Sequence, residues 1–171
     1  MRILIPEDQI RKRVDELAPQ IARAYAGQPL TIVGVLTGCL VFLADLIRRL
    51  DLPLKIALVQ ASSYRGRSTT AGDLHMQDEL LPDLKGRHIL LIDDILDTGK
   101  TLKHLVEHLR GLGVASVRTA VLLRKEGRQE VEIEPDFIGF TIPNEFVVGY
   151  GLDFDDEHRN LPFIGVLDGP K

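Results

Sequence analysis

Residues 89–102 read Ile-Leu-Leu-Ile-Asp-Asp-Ile-Leu-Asp-Thr-Gly-Lys-Thr-Leu. The unbroken apolar run at 89–92 suits a strand buried on both faces of a parallel sheet. Asp93 and Asp94 close the run, a turn is expected at Asp97-Thr98-Gly99, and Leu102, Leu105, Val106 and Leu109 then recur at helical spacing. A buried strand followed within a few residues by an amphipathic helix commits the chain to an α/β arrangement.

The turn carries chemistry of its own. Where a strand ends and a helix begins, unpaired N–H groups point outward and the helix dipole favours negative charge, so phosphate is the natural ligand. Two carboxylates beside such a cradle would repel phosphate unless they face something else, such as sugar hydroxyls or a metal. A phosphorylated sugar, held by its phosphate at one end and its hydroxyls at the other, satisfies both demands. Two other assignments compete. Gly99-Lys100-Thr101 matches the tail of a Walker A loop, but that loop needs its first glycine at position 94, which is Asp94. The spacing excludes it. The plainer alternative is an ordinary strand-turn-helix in which Asp97 and Thr98 only cap the helix.

The rest of the chain extends the alternation. Ile10, Val14, Leu17, Ile21 and Tyr25 mark an amphipathic helix, with a kink expected near Pro19. Residues 30–36 suit a strand, Leu40, Leu43, Ala44, Ile47 and Leu50 the helix after it, and residues 54–61 a second strand. The polar stretch 63–72 reads as a mobile loop. Further strands are expected at 117–123, 137–140 and 163–166. Strands alternating with helices imply right-handed crossovers and a mainly parallel sheet flanked by helices. Ligands bind at the carboxyl ends of such strands, where Thr37, Asp93, Asp97 and Lys125 fall.

At 171 residues, one domain spanning 1–171 is expected. A net charge of −4 without like-charge runs gives no footprint for nonspecific nucleic-acid binding. The single cysteine, Cys39, excludes an intrachain disulfide. No stretch approaches the ~18–20 apolar residues that span a bilayer, and the apolar start is too short for a signal peptide. A cytoplasmic protein without nucleic-acid or membrane partners is expected. His104 and His108 are spaced as a helical pair but lack a third ligand, so no metal role is assigned to them.

Segment 89–102 resembles the phosphoribosyl pyrophosphate (PRPP) motif of the type I phosphoribosyltransferases: an apolar strand, two acids, two apolar residues, then Asp-Thr-Gly-Lys-Thr. Residues 135–140, Pro-Asp-Phe-Ile-Gly-Phe, lead into Ile-Pro-Asn-Glu-Phe-Val-Val-Gly-Tyr-Gly-Leu-Asp at 142–153. That stretch is similar to the purine-binding segment of the hypoxanthine-guanine phosphoribosyltransferases. Val35-Leu36-Thr37-Gly38 and Ser62-Ser63-Tyr64 fall where that family places its pyrophosphate loop and its mobile lid. The likeness covers nearly the whole chain, and four motifs in the right order are more specific than any one.

The resemblance implies the type I fold, with a small hood built from the chain ends, and a set of roles. Asp97, Thr98, Gly99, Lys100 and Thr101 would hold the 5′-phosphate of PRPP, and Asp97 would also serve as general base toward N7 of the purine. Asp93 and Asp94 would face the ribose hydroxyls directly or through Mg²⁺; the family more often has Glu-Asp here. Thr37, Gly38 and Arg159 would contact pyrophosphate, although many members carry Lys where Thr37 stands. Lys125, Phe146, Val147 and Asp153 would form the purine site. Lys125 would donate to a 6-oxo group and so select against adenine, whose 6-amino group is itself a donor. Asp153 would also bind Mg²⁺, the expected cofactor. With Asp155, Asp156 and Glu157 following, an acidic surface loop is the alternative for Asp153. Ser63 and Tyr64 would close over the site and exclude water.

The implied activity is purine salvage: transfer of a phosphoribosyl group from PRPP to hypoxanthine or guanine, by a homodimer or homotetramer. Two rivals stand beside it. One is a noncatalytic regulator on the same fold, which the acidic balance and the retained Asp97, Lys125 and Phe146 disfavour. The other is an enzyme for another base, xanthine or adenine.

Overall fold

The computed structural model describes residues 1–63, 74–77 and 79–168. In chain order the elements are β1 (Arg2–Ile5), α1 (Glu7–Ala24), β2 (Leu30–Leu36), α2 (Leu40–Ile47), β3 (Leu54–Ser63) and β4 (Leu74–Gln77). They continue with β5 (His88–Leu96), α3 (Lys100–Arg110), β6 (Ser116–Lys125), β7 (Phe137–Ile142), β8 (Val147–Val148) and β9 (Ile164–Val166).

The main sheet has the order β4-β3-β2-β5-β6-β7, parallel throughout except for β4, which pairs antiparallel with β3. From β2 the chain winds outward to β3, and from β5 it winds the other way to β6 and β7. β2 and β5 therefore border the point where the winding reverses, the position at which an open α/β sheet leaves a crevice for ligand. Segments 37–39 and 97–99 leave the sheet there.

Alternation along β5 shows how both faces are covered. Leu90 and Ile92 join a core containing Val14, Leu17 and Ile21 of α1 and Phe42 and Leu46 of α2. Ile89 and Leu91 join a second core containing Leu102, Leu105 and Leu109 of α3. A fully buried Leu or Ile contributes roughly 1.5–3 kcal/mol relative to exposure, so a strand with both faces occupied is strongly placed.

Three expectations shift in detail. β5 does not stop at the acids but runs to Leu96, with Asp93 opposite Val121, Ile95 opposite Leu123 and Leu96 opposite Arg124. The ladder to β6 continues through Asp93 and Asp94, so they lie inside a strand. Helix α2 buries Phe42, Leu43 and Leu46 while Leu40 and Ala44 face out, so its stripe is rotated from the one expected. Helix α1 continues through Pro19, which sits on its exposed side.

The chain ends meet in a second, antiparallel sheet of order β1-β9-β8. Arg2 lies opposite Val166, Ile3 opposite Gly165 and Val147 opposite Val166. Ile5, Val147, Tyr150, Leu152, Ile164 and Val166 are continuous with the core on the α1–α2 side of the main sheet. The expected hood is present, packed onto the layer that carries the ligand crevice. Among the described residues no helix is long and apolar enough to cross a membrane.

Candidate active site

The acids of β5 are enclosed. Asp93 is only 9% exposed. Its Oδ1 accepts the Asp94 N–H at 2.9 Å, and Asp94 Oδ1 accepts the Ile95 N–H at 2.7 Å. Burial pushes the pKa of both upward, and the neighbouring Asp94 charge adds to the rise at Asp93; at Asp94 the hydrogen bonds with Asp93 and the Ile95 N–H, and less strongly Arg159, partly oppose it. These are not solvated strand-end charges. The Asp94 carboxylate packs against Gly38, where an added Cβ would overlap it. Thr37, next to it, is exposed and joined to Leu36 by a cis peptide. Cys39 lies beneath, its thiol pushed up to about 12 by burial and then by the charges of Asp93 and Asp94, which leaves it unreactive at neutral pH.

The turn after β5 is built on Gly99, whose φ of +87° starts α3. The plainer alternative, in which Asp97 only caps the helix, is not what the structure shows. Asp97 Oδ1 accepts a hydrogen bond from Arg128 Nε at 2.8 Å, and Oδ2 from Lys125 Nζ at 3.3 Å. Burial alone would raise the pKa of Asp97, but the Arg128 hydrogen bond and the Lys125 charge outweigh it and hold the carboxyl below its ordinary range. The turn is further tied to the segment after β6: the Glu130 N–H donates to Thr98 O at 2.9 Å, and Lys100 pairs with Glu130 at 2.7 Å. Lys100 is therefore a surface helix residue with a surface partner. The Lys125 side chain, 11% exposed, is the more enclosed cation. Arg128 escaped sequence reading because a Glu-Gly-Arg-Gln turn looks like any solvated connection.

Lys125 lies opposite Ile142 in the β6–β7 ladder, and the chain leaves β7 there to reach Phe146 a few residues on. Phe146 is 51% exposed, whereas Val147 is buried. β8 is the edge strand of the hood sheet, so one row of its backbone groups faces away from β9. Beyond it, Asp153 Oδ2 accepts the Asp156 N–H at 2.9 Å and Oδ1 pairs with Arg159 at 3.0 Å. Arg159 also donates to Gly151 O at 2.8 Å. The Gly151 backbone lies directly on Gly38 O, where an added Cβ would overlap it. That contact joins the hood segment to the loop after β2.

Two groups thus form. Thr37 and Gly38, Asp93 and Asp94, and Asp153 and Arg159 are linked through the Gly38 contacts; Asp97 to Thr101, Lys125 and Arg128 gather at the turn. Ser63 ends β3, and its side chain and Tyr64 lie outside the described residues. Among the described residues no three His, Cys, Asp or Glu gather as a metal cage. A cleft of about 400 Å³ lined by Arg11, Asp45, Arg48, Arg49, Tyr150 and Arg159, among others, shares only Arg159 with the expected site. The Tyr150 hydroxyl there donates to Asp45.

A family model described as the phosphoribosyl transferase domain matches residues 6–155, and that is the class the fold and the turn define. A hypoxanthine-guanine phosphoribosyltransferase of Streptococcus pneumoniae is 42% identical over 166 residues, 97% of this chain and 92% of that protein. The crystal structure of a hypoxanthine phosphoribosyltransferase from Staphylococcus aureus superposes with a TM-score of 0.91 at 40% identity, covering 97% of this chain and 90% of the other. One from Trypanosoma cruzi superposes with a TM-score of 0.90 at 38% identity, covering 97% and 94%. The chain belongs to the hypoxanthine-guanine phosphoribosyltransferases.

Proposed function

We propose that the chain transfers the 5-phosphoribosyl group of PRPP to hypoxanthine or guanine, releasing pyrophosphate and forming IMP or GMP. The observation that carries this reading is the Asp97 carboxylate, shared between Lys125 and Arg128 at the mouth of a helix-capped turn. One group of side chains there can hold a phosphate, accept a proton and donate to a base. In the reaction the C1′–O bond to pyrophosphate breaks, its electron pair leaving on oxygen. The C1′–N9 bond forms, and the N7 proton passes to Asp97.

The turn amides at the start of α3, with Thr98 and Thr101, hold the 5′-phosphate. Asp93 and Asp94 face the ribose hydroxyls, their buried oxygens already oriented by backbone N–H groups. Lys125 donates to the 6-oxo group, Phe146 stacks on the base, and the free edge of Val147 reads its rim. Thr37, Gly38 and Arg159 meet the pyrophosphate.

Mg²⁺, when bound, neutralises the leaving pyrophosphate. It takes hard oxygen ligands, typically one or two carboxylates with phosphate oxygens and water, so a preformed cage is not required. The partly exposed carboxylate of Asp153 fits that donor set and would hold the ion, while Asp93 and Asp94 would face the ribose hydroxyls or the ion. Asp153→Ala should raise the Mg²⁺ requirement. The same reading makes the protein a cytoplasmic homodimer or homotetramer, which sedimentation of the purified chain would check.

The test is an assay of purified protein with PRPP, Mg²⁺ and each of four bases. Hypoxanthine and guanine should turn over, xanthine more weakly and adenine not at all. Comparable turnover of adenine would overturn the role of Lys125, and no turnover of any 6-oxopurine would overturn the function.

A further inference from the structure

Phe154 is an aromatic ring that neither core accounts for. It is 55% exposed, yet its ring meets that of Phe146 edge-on, with centroids 5.6 Å apart and planes at 88°. Phe146 is itself half-exposed, and neither residue belongs to a buried cluster. Solvent-facing aromatic rings in mutual contact gain little from the fold, so the pair calls for a role at the surface.

The two rings are held differently. Phe154 sits on a tight hairpin. Its N–H donates to Glu157 O at 3.1 Å, and it accepts the Glu157 N–H at 3.0 Å. Between them Asp155 and Asp156 have φ of +54° and +60°, the positive pair that a two-residue type I′ turn requires. Asp153 holds the same hairpin by accepting the Asp156 N–H and pairing with Arg159. Phe146, by contrast, precedes a two-residue edge strand, where its carbonyl accepts the Leu167 N–H.

We propose that Phe154 is a positioning residue for the purine base. Its perpendicular contact keeps the Phe146 ring in the orientation that stacks on the base, and ties that ring to the hairpin bearing Asp153 and Arg159. An exposed phenylalanine otherwise samples several rotamers, and ordering it at the moment of binding weakens affinity. An edge-to-face neighbour removes that cost while leaving a ring face open. The inference rests on the reading of Phe146 as the base platform.

Steady-state kinetics on Phe154→Ala, Phe154→Leu, Phe154→Tyr, Phe146→Ala and the Phe146→Ala/Phe154→Ala double variant test it. Phe154→Ala and Phe154→Leu should raise KM for hypoxanthine roughly 2- to 10-fold, the range an aromatic pair represents. kcat, KM for PRPP and the melting temperature should stay close to wild type. Phe154→Tyr should restore KM. Because Phe154 acts through Phe146, the double variant should be no worse than Phe146→Ala alone.

An unchanged KM for hypoxanthine in Phe154→Ala, a parallel rise in KM for PRPP, or additive effects in the double variant would overturn the proposal. If Phe146→Ala raises KM for the base and Phe154→Ala does not, only the proposal falls. If Phe146→Ala itself leaves that KM unchanged, the platform reading fails and the proposal with it.

Discussion

The carboxylate of Asp94 fills the space that a side chain on Gly38 would need. An expected pyrophosphate contact and an expected ribose contact, far apart in sequence, are thus one packed unit at the crevice between β2 and β5. Gly38→Ala should push Asp94 from its Ile95 hydrogen bond and shift the loop. Misplacing a site by about 1 Å can cost roughly 10²-fold in rate, so kcat/KM for PRPP should fall by about that factor. KM for the base should change little. Near-normal PRPP kinetics in Gly38→Ala would show that loop and acid move independently.

Asp93 couples function to stability. Burial, then the Asp94 charge, raises its folded-state pKa well above the ordinary value. A carboxyl whose folded pKa exceeds its unfolded pKa favours the fold while protonated. Its contribution is fully present below the unfolded value, about 3.9, and is lost as pH rises through the folded one. At neutral pH the burial of Asp93 therefore weakens the free protein. Asp93→Asn keeps an oxygen for the Asp94 N–H and removes the ionisable group, so its melting temperature near pH ~7.5 should rise, by roughly 2–4 °C per kcal/mol relieved. The gap should close toward pH ~4, and catalysis should fall. Calorimetry across that range decides it; a variant that melts below wild type at neutral pH would refute the assignment.

Thr37 is exposed beside this unit and carries no charge. If the missing cation weakens the grip on pyrophosphate, Thr37→Lys should strengthen product inhibition by pyrophosphate roughly 2- to 5-fold, the scale of an exposed ion pair. Unchanged inhibition would leave the contact to backbone amides.

How far the sequence could be read follows from which forces act locally. The buried runs of β2, β5 and β6 and the amphipathic α1 and α3 announce themselves, because burial on both faces or on one stripe dictates residue type. β1 and β8 did not, being four and two residues long and defined only by their partner β9. The α2 stripe was misplaced because Leu40 is apolar yet exposed, while Cys39 and Phe42 are buried. At the candidate site, Asp93, Asp94 and Asp97 were picked out by the motif that follows the apolar run, and Lys125 only by the family resemblance. Arg128 and Phe154 were not, since each earns its place only through a partner distant in the chain.

Asp97 has two jobs available, and its partners separate them. If it only shapes the turn, Asn should replace it well, being nearly isosteric. If it accepts the N7 proton, a neutral amide cannot serve. In the free protein Arg128 and Lys125 together hold its pKa low, which makes it a weak base. Drawing Lys125 away to the 6-oxo group of a bound purine removes one of those cations, so proton affinity rises as the substrate arrives. Asp97→Asn should keep PRPP binding and lose kcat by ~10²–10⁴-fold, roughly 3–5 kcal/mol of barrier. Arg128→Ala removes the hydrogen bond that most lowers the carboxyl, so the acid limb of kcat/KM should move to higher pH. Calorimetric PRPP binding, with pH–rate profiles on hypoxanthine, measures both. A kcat for Asp97→Asn within about threefold of wild type is far below the general-base range and would confine Asp97 to the phosphate turn.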